Sequence, residues 1–177
     1  TVGSFKIENE IVKEGFVPYQ LLVTGLSGGH SGLEIHIGKA NAIKFLGRLI
    51  KKLDEVNFQL ASIEGGSKRN AIPREAEAVI LIKPEDEVKV KEIISKFEKD
   101  VVNEFQRKES GISIKLSKSE NKYKSAYTSK FKDTIVNSII GLPHGVLMMS
   151  ADIPELVETS TNLATITIEN DILKIGT

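Results

Sequence analysis

The sequence has no cysteine, which excludes disulfide bonds and thiolate metal sites. That composition fits a reducing compartment. It has no net charge: 24 lysines and arginines balance 24 aspartates and glutamates. No global basic field is therefore present to hold nucleic acid or an anionic membrane. No apolar run approaches the roughly 18 residues that a bilayer span needs, and there is no internal repeat or low-complexity tract. The first residue is Thr and not Met, as expected of an excised or processed segment, so a missing leader says nothing about a parent protein. What is present is ordinary for a globular chain: 177 residues, 40% hydrophobic and 27% charged, enough for one domain or two small ones.

Hydrophobic periodicity orders the first two thirds. Tyr19 to Leu26 is a short strand running into a glycine-rich stretch. Ala42, Leu46, Leu49 and Leu53 recur at helical spacing within a helix from about Lys39 to Asp54. Phe58 and Leu60 open a second strand, and Ala76 to Lys83 reads as a third, largely buried one. Pro84 with Glu85, Asp86 and Glu87 marks a helix start that runs to about Phe105, its apolar face Val90, Ile94, Phe97, Val101 and Phe105. Ile112, Ile114 and Leu116 alternate with polar residues as a half-buried strand. Strand, helix, strand, strand, helix, strand predicts an α+β two-layer sandwich of the split βαβ, ferredoxin-like kind, with both helices on one face of an antiparallel sheet. Residues 1–118 form this unit, and its sheet must end in unpaired edges through which it could self-associate.

The remainder, residues 119–177, reads as a linker (Ser117 to Ser129) and a partial second α/β unit. It holds a helix from Phe131 to Ile140, a strand from Gly145 to Met149, and a hairpin of Leu163 to Ile168 and Ile172 to Ile175 turning at Asn170-Asp171. These elements look too few to close a core, so the rest of that unit is expected beyond Thr177.

The stretch Gly25-Leu26-Ser27-Gly28-Gly29-His30-Ser31-Gly32 holds four glycines in eight residues. Such a turn leaves His30 uncovered, and an imidazole so displayed can donate to a developing oxyanion. An ordinary surface histidine on a glycine turn is the plainer reading of the same spacing. A phosphate-cradling loop is disfavoured, since no Lys-Ser or Lys-Thr pair follows the glycines. The three histidines do not suggest a metal site. His30 and His36 would lie about 20 Å apart if the chain between them is extended, Glu34 and His36 could share a strand face only as a chance pair, and His144 follows Pro143 in a turn. In the loop ending Arg69-Asn70-Ala71-Ile72-Pro73-Arg74, Asn70 both donates and accepts, which suits the polar ends of a peptide. An Asx turn before the strand is the structural alternative. The lysines between Lys83 and Lys132 read as solvated helix faces.

Three blocks together resemble a family. The glycine stretch followed by Ile35-His36 and Lys39-Ala40-Asn41-Ala42, then Arg69 to Arg74, then Gly141-Leu142-Pro143-His144-Gly145-Val146 with Leu156 to Leu163, are similar to the lid domain of aminoacyl-histidine dipeptidases. These are cytosolic metallopeptidases related to carboxypeptidase G, aminoacylase and carnosinase. The resemblance implies a parent enzyme in which a separate catalytic domain of the same polypeptide holds two zinc ions, a metal-bound water attacks a dipeptide of the Xaa-His type, and the inserted lid supplies a histidine, matching His30, to the scissile carbonyl oxygen. It implies a substrate contact at Asn70, a cytoplasmic location, and a lid that forms a homodimer contact or is duplicated within one chain. No zinc-ligand motif stands in this chain, which by itself should be inactive and metal-free. Many relatives carry an arginine at the end of the strand after the asparagine loop, where the nearest residue here is Lys83, a poor bidentate partner for a carboxylate. Arg69, Arg74 or a group outside the chain is left to grip the substrate's C-terminus. The rival reading is a non-enzymatic ferredoxin-like module that binds an amino acid and regulates another protein.

Overall fold

A computed structural model describes all 177 residues. In chain order its elements are β1 (Val2–Lys6), β2 (Asn9–Ile11), β3 (Val17–Thr24), β4 (Gly29–His30), α1 (Ser31–Glu34), α2 (Ala42–Lys52), β5 (Phe58–Gly65), β6 (Ala71–Ile72), β7 (Ala76–Ile82), α3 (Glu87–Phe105), β8 (Ser113–Lys118), β9 (Ser125–Tyr127), α4 (Ser129–Gly141), β10 (Gly145–Met149), β11 (Val157–Thr161), β12 (Thr165–Glu169) and β13 (Ile172–Gly176). No helix is long and apolar enough to cross a membrane.

Strand β3 shows how the pattern becomes a layer. Tyr19, Leu21 and Val23 are buried, while the residues between them are only partly covered. In register they stand opposite Ile80, Ala78 and Ala76 of β7, and β5 adds Leu60 opposite Ile80 and Ile63 opposite Ala78. One face of the sheet is thus apolar along three adjacent strands, and α2 and α3 bury it. Asn41 caps α2 by accepting the Lys44 amide, and Lys51 and Lys52 sit at its negative C-terminal end. Phe45 of α2 meets Phe97 and Phe105 of α3 edge-to-face, with ring centroids 6.4 and 5.2 Å apart. The central strands run β5-β7-β3-β8, every pair antiparallel, which is the split βαβ sandwich expected from the sequence, with both long helices on one face.

The last third departs from expectation. It does not begin a second unit. Hairpin β12–β13 joins the edge of the same sheet through Ile166 opposite Gly65, and β1, an element absent from the sequence reading, pairs with β13, giving seven strands in the order β1-β13-β12-β5-β7-β3-β8. Asn170 and Asp171 make the two-residue turn with φ of 50° and 59°, as a type I′ hairpin requires. Helix α4 lies on α2 where Gly47 leaves room: a Cβ there would stand 2.4 Å from Ile139 Cγ2. Leu163, Ile166, Leu173 and Ile175 join Tyr19, Phe45 and Phe97 in a single core cluster of 33 buried residues. These elements looked too few to close a core because they close one supplied by the first two thirds. The segment read as a linker holds β9, which pairs with β2 and buries Ala126 and Tyr127. Like β2–β9, strands β10 and β11 form a separate two-stranded ladder outside the seven-stranded sheet, with Leu147 and Met148 about half exposed (54% and 51%).

Candidate functional site

The glycine stretch leaves β3 at Gly25, whose φ of 79° and close approach to Gly111 admit no side chain: a Cβ would stand 1.7 Å from the Gly111 carbonyl oxygen. Glu109, 6% exposed, anchors the next residues. Its carboxylate accepts from the Ser27 amide (2.7 Å), the Ser27 hydroxyl (3.1 Å) and the Ala40 amide (3.0 Å). Lys39 then spans the turn, donating to the Gly28 carbonyl (2.7 Å) and to Glu34 (2.6 Å). The other Glu34 oxygen accepts the His30 amide (2.8 Å). Lys39 first, and that backbone amide second, hold the Glu34 carboxyl below its usual range.

His30 is exposed and caps the short helix α1, its Nδ1 accepting the Gly32 amide at 3.1 Å. An imidazole nitrogen that accepts carries no proton, so the neutral ring is held as the tautomer with its N–H on Nε2. That is the form an oxyanion donor needs. The chain from Ser31 to Ile37 is wound into α1 and a 3₁₀ turn. His36 is therefore nearer His30 than an extended path would put it, and Glu34 and His36 share no strand face. No group of three or more metal-ligating side chains forms anywhere in the chain, so its residues do not fit a zinc centre.

The second loop meets the first through a small ladder. Strand β6 pairs with β4, Ala71 opposite His30 and Ile72 opposite Gly29, and the Asn70 carbonyl accepts the Ser31 amide at 2.9 Å. His30 and Asn70 are thereby neighbours. They line one open cavity of about 850 Å³ with Gly28, Lys68, Arg74 and the carboxylates Glu64, Glu75 and Glu77. The cavity lies on the sheet face opposite the helices, where Leu22, Glu77 and Glu64 stand side by side across β3, β7 and β5. Burial, and Glu77 directly opposite it, raise the pKa of Glu64.

The structure places the sequence candidates unequally. His30, Asn70 and Arg74 face the shared cavity. Arg69 is exposed and outside its lining, and its carbonyl accepts from Asn162. Lys83 follows the far end of β7, roughly 20 Å from Ala76 at about 3.3 Å per residue, and cannot take the place of an arginine beside the cavity.

Three residues that organise these loops were not singled out by sequence reasoning. Besides Glu109 they are Asn41 and Asn162, 2% and 7% exposed. The Asn41 side chain donates to the Leu163 carbonyl (2.8 Å) and faces His144 Nδ1 (3.3 Å). Asn162 donates to the Ala71 carbonyl (2.7 Å) and the Arg69 carbonyl (3.4 Å), while its own Oδ1 is buried without a partner, a loss of about 1–3 kcal/mol for an amide oxygen. The chain has one other buried polar side chain, Gln59. The apolar pattern does not mark such positions. Glu109 and Asn162 lie in polar runs, Gln106 to Gly111 and Glu158 to Asn162, so no local signal sets them apart.

This architecture and these loops match a known class. Residues 23–109 match the peptidase dimerisation domain of the M20 type. Over 98% of its length the chain is 34% identical to the cytosol non-specific dipeptidase of Escherichia coli, and it spans 36% of that protein. Its fold superposes on the crystal structure of an aminoacylhistidine dipeptidase from Vibrio alginolyticus with a TM-score of 0.93 and 31% identity, covering 98% of this chain and 36% of that one. Residues 23–109 thus form a peptidase dimerisation domain of the M20 type, and the chain spans about a third of the length of the dipeptidases it is similar to.

Proposed function

We propose that this chain is the lid and dimerisation part of a cytosolic, metal-dependent dipeptidase acting on Xaa-His-type substrates, and that His30 stabilises the oxyanion formed at the scissile carbonyl. The observation carrying this reading is the hydrogen bond from the Gly32 amide to His30 Nδ1. The Gly32 amide occupies Nδ1, so Nε2–H is the available donor, on a turn braced by Glu109, Lys39 and Glu34. A donor fixed before the reaction gains most when charge develops on the oxygen, because no reorganisation is needed at that moment. Asn70, tied to His30 through the β4–β6 ladder, supplies both donor and acceptor for the substrate's polar ends. Arg74 lines the same cavity, as does Lys68, and of the two its planar guanidinium is the better suited to a substrate carboxylate. The two zinc ions belong to a catalytic domain outside this chain, which supplies none of their ligands. The relatives' names support the dipeptidase class and the cytosolic location.

The test is steady-state kinetics on the full-length protein. His30→Ala should lower kcat by ~10²–10³, with little change in KM and no loss of bound metal. Near-normal kcat, or lost metal, overturns the role. The domain class and the sheet edges at β1 and β8 support a homodimer; light scattering across a concentration series should report a dimer, and a strict monomer would refute it.

A further inference from the structure

We infer that Asn162 is a positioning residue for the substrate-binding loop, acting through Asn70, and that Glu109 does the corresponding work for His30. The inference rests on the proposed function, since it assigns each anchor to one half of that site.

Asn162 comes from the short connection between β11 and β12, more than ninety residues beyond the loop it holds. Its amide donates to the carbonyls of Arg69 and Ala71, the two residues flanking Asn70. Gripping the peptide units on either side fixes where the Asn70 side chain emerges. The loop has few bonds of its own: the Ala71 amide reaches the Lys68 carbonyl, and the Asn70 carbonyl takes the Ser31 amide. Asn162 is 7% exposed and its Oδ1 has no partner. A side chain present for stability alone would be better replaced by an apolar one, because a half-satisfied buried amide costs more than it returns. Retention of a buried donor at this point has a ready explanation in the two carbonyls it places. Asn41 braces the same connection from the other side through the Leu163 carbonyl, so the anchor is itself held.

Glu109 makes no hydrogen bond to the Asn70 loop. Its three bonds go to Ser27 and Ala40, which bracket the His30 turn. The two buried anchors therefore bond to different loops, which meet only at the short β4–β6 ladder. Asn162 should govern substrate affinity, and Glu109 should govern transition-state stabilisation.

Double-mutant cycles in the full-length enzyme separate this from a merely structural role. Asn162→Ala should raise KM about tenfold with kcat changed less than about threefold, and in an Asn70→Ala background it should add less than about a twofold further rise, because residues acting as one unit are non-additive. Asn162→Asp keeps the volume but sets a carboxylate against two carbonyl oxygens, so it should raise KM at least as far. Glu109→Gln should lower kcat about tenfold or more, and add little in a His30→Ala background. Additive effects in these cycles, or Asn162 variants that lower kcat and leave KM alone, overturn the inference. Thermal unfolding of each variant is measured alongside: a large fall in Tm with unchanged kinetic parameters also counts against it. If His30→Ala and Asn70→Ala themselves leave the kinetics unchanged, the proposed function has failed, and not the anchoring alone.

Discussion

Between the sheet and its helices, Phe45, Leu49, Ile80 and Phe97 are sealed from solvent in one apolar cluster. At the end of the sheet that carries His30, the chain is held by Glu109, Asn41, Asn162 and Lys39, each bonded to backbone groups of loops. The two regions answer different demands. Apolar burial is roughly proportional to area and indifferent to direction, so it stabilises the layer without aiming any side chain. Hydrogen bonds are directional, and a buried one is costly to leave unmade, so it fixes position at the expense of tolerance. Stability should thus be lost by mutation in the first region and activity by mutation in the second, except where the site end depends on a glycine.

The largest effect expected breaks that comparison on purpose. Gly25→Ala lies at the site end but should behave as a core mutation, because its Cβ would meet the Gly111 carbonyl oxygen at 1.7 Å in a left-handed conformation. A cost above about 4 kcal/mol is expected, in the range reserved for severe clashes. Gly15 has a similar φ of 78° but open space around it. Gly15→Ala should cost only the ~1–2 kcal/mol of a left-handed L-residue. Urea unfolding of the two variants measures the difference, and equal costs would show that strain, and not the clash, decides.

A crossed pair sharpens the comparison. Phe97→Ala removes a ring that is fully buried between α3 and α2 and should cost about 3–5 kcal/mol of stability. In the folded fraction, kcat should be unchanged. His30→Ala should do the reverse, leaving stability within ~0.5 kcal/mol as exposed sites do while removing ~10²–10³ in kcat. Denaturation curves and kinetics on both variants form a two-by-two table, and a large entry off its diagonal would refute the division of labour.

The same division explains what could be read from the sequence. The layer was legible because burial imprints a period: Tyr19, Leu21 and Val23 alternate, and Val90, Ile94, Phe97 and Val101 recur along a helix. His30 and Asn70 were legible as residue types on glycine-flanked loops. Their adjacency was not, because it depends on Ala71 pairing with His30 across about forty residues of sequence. Glu109 and Asn162 carry no period, and each acts on residues about seventy or more positions away. The fate of the last third was hidden for a related reason. That β12 and β13 extend the existing sheet shows in the Ile166–Gly65 pair and in the burial of Ile166, Leu173 and Ile175 in the common core, and that α4 docks on α2 shows in the missing side chain at Gly47; neither has a local signature.

The smallest effect expected concerns His144, which sits where the two regions meet. The Asn41 side chain is oriented by its Oδ1, which accepts the Lys44 amide, so its Nδ2 faces His144 and donates to Nδ1. A protonated imidazole could not accept there. Burial first, and the nearby Lys44 ammonium second, push the His144 pKa down to about 4 from an ordinary 6.5. The unfolded chain therefore binds this proton more readily than the folded one, so the stabilising contribution of neutral His144 is complete above pH 6.5 and is lost as pH falls toward 4. The loss should amount to about 1–2 kcal/mol once its partial exposure is allowed for. Carboxylates held low by partners, such as Glu34 and Glu169, lose their contributions only below their ordinary value of 4.5. Glu64, whose pKa is raised, acts in the opposite sense and favours the folded state as pH falls. Between pH 4.5 and 6.5 the difference between the wild type and His144→Gln therefore isolates the histidine, since Glu64 is common to both. Urea midpoints measured across that window should converge as pH falls, the wild type losing stability faster than the variant. Parallel curves would mean that His144 is protonated in the folded state as easily as in the unfolded one, and that Asn41 does not hold it neutral.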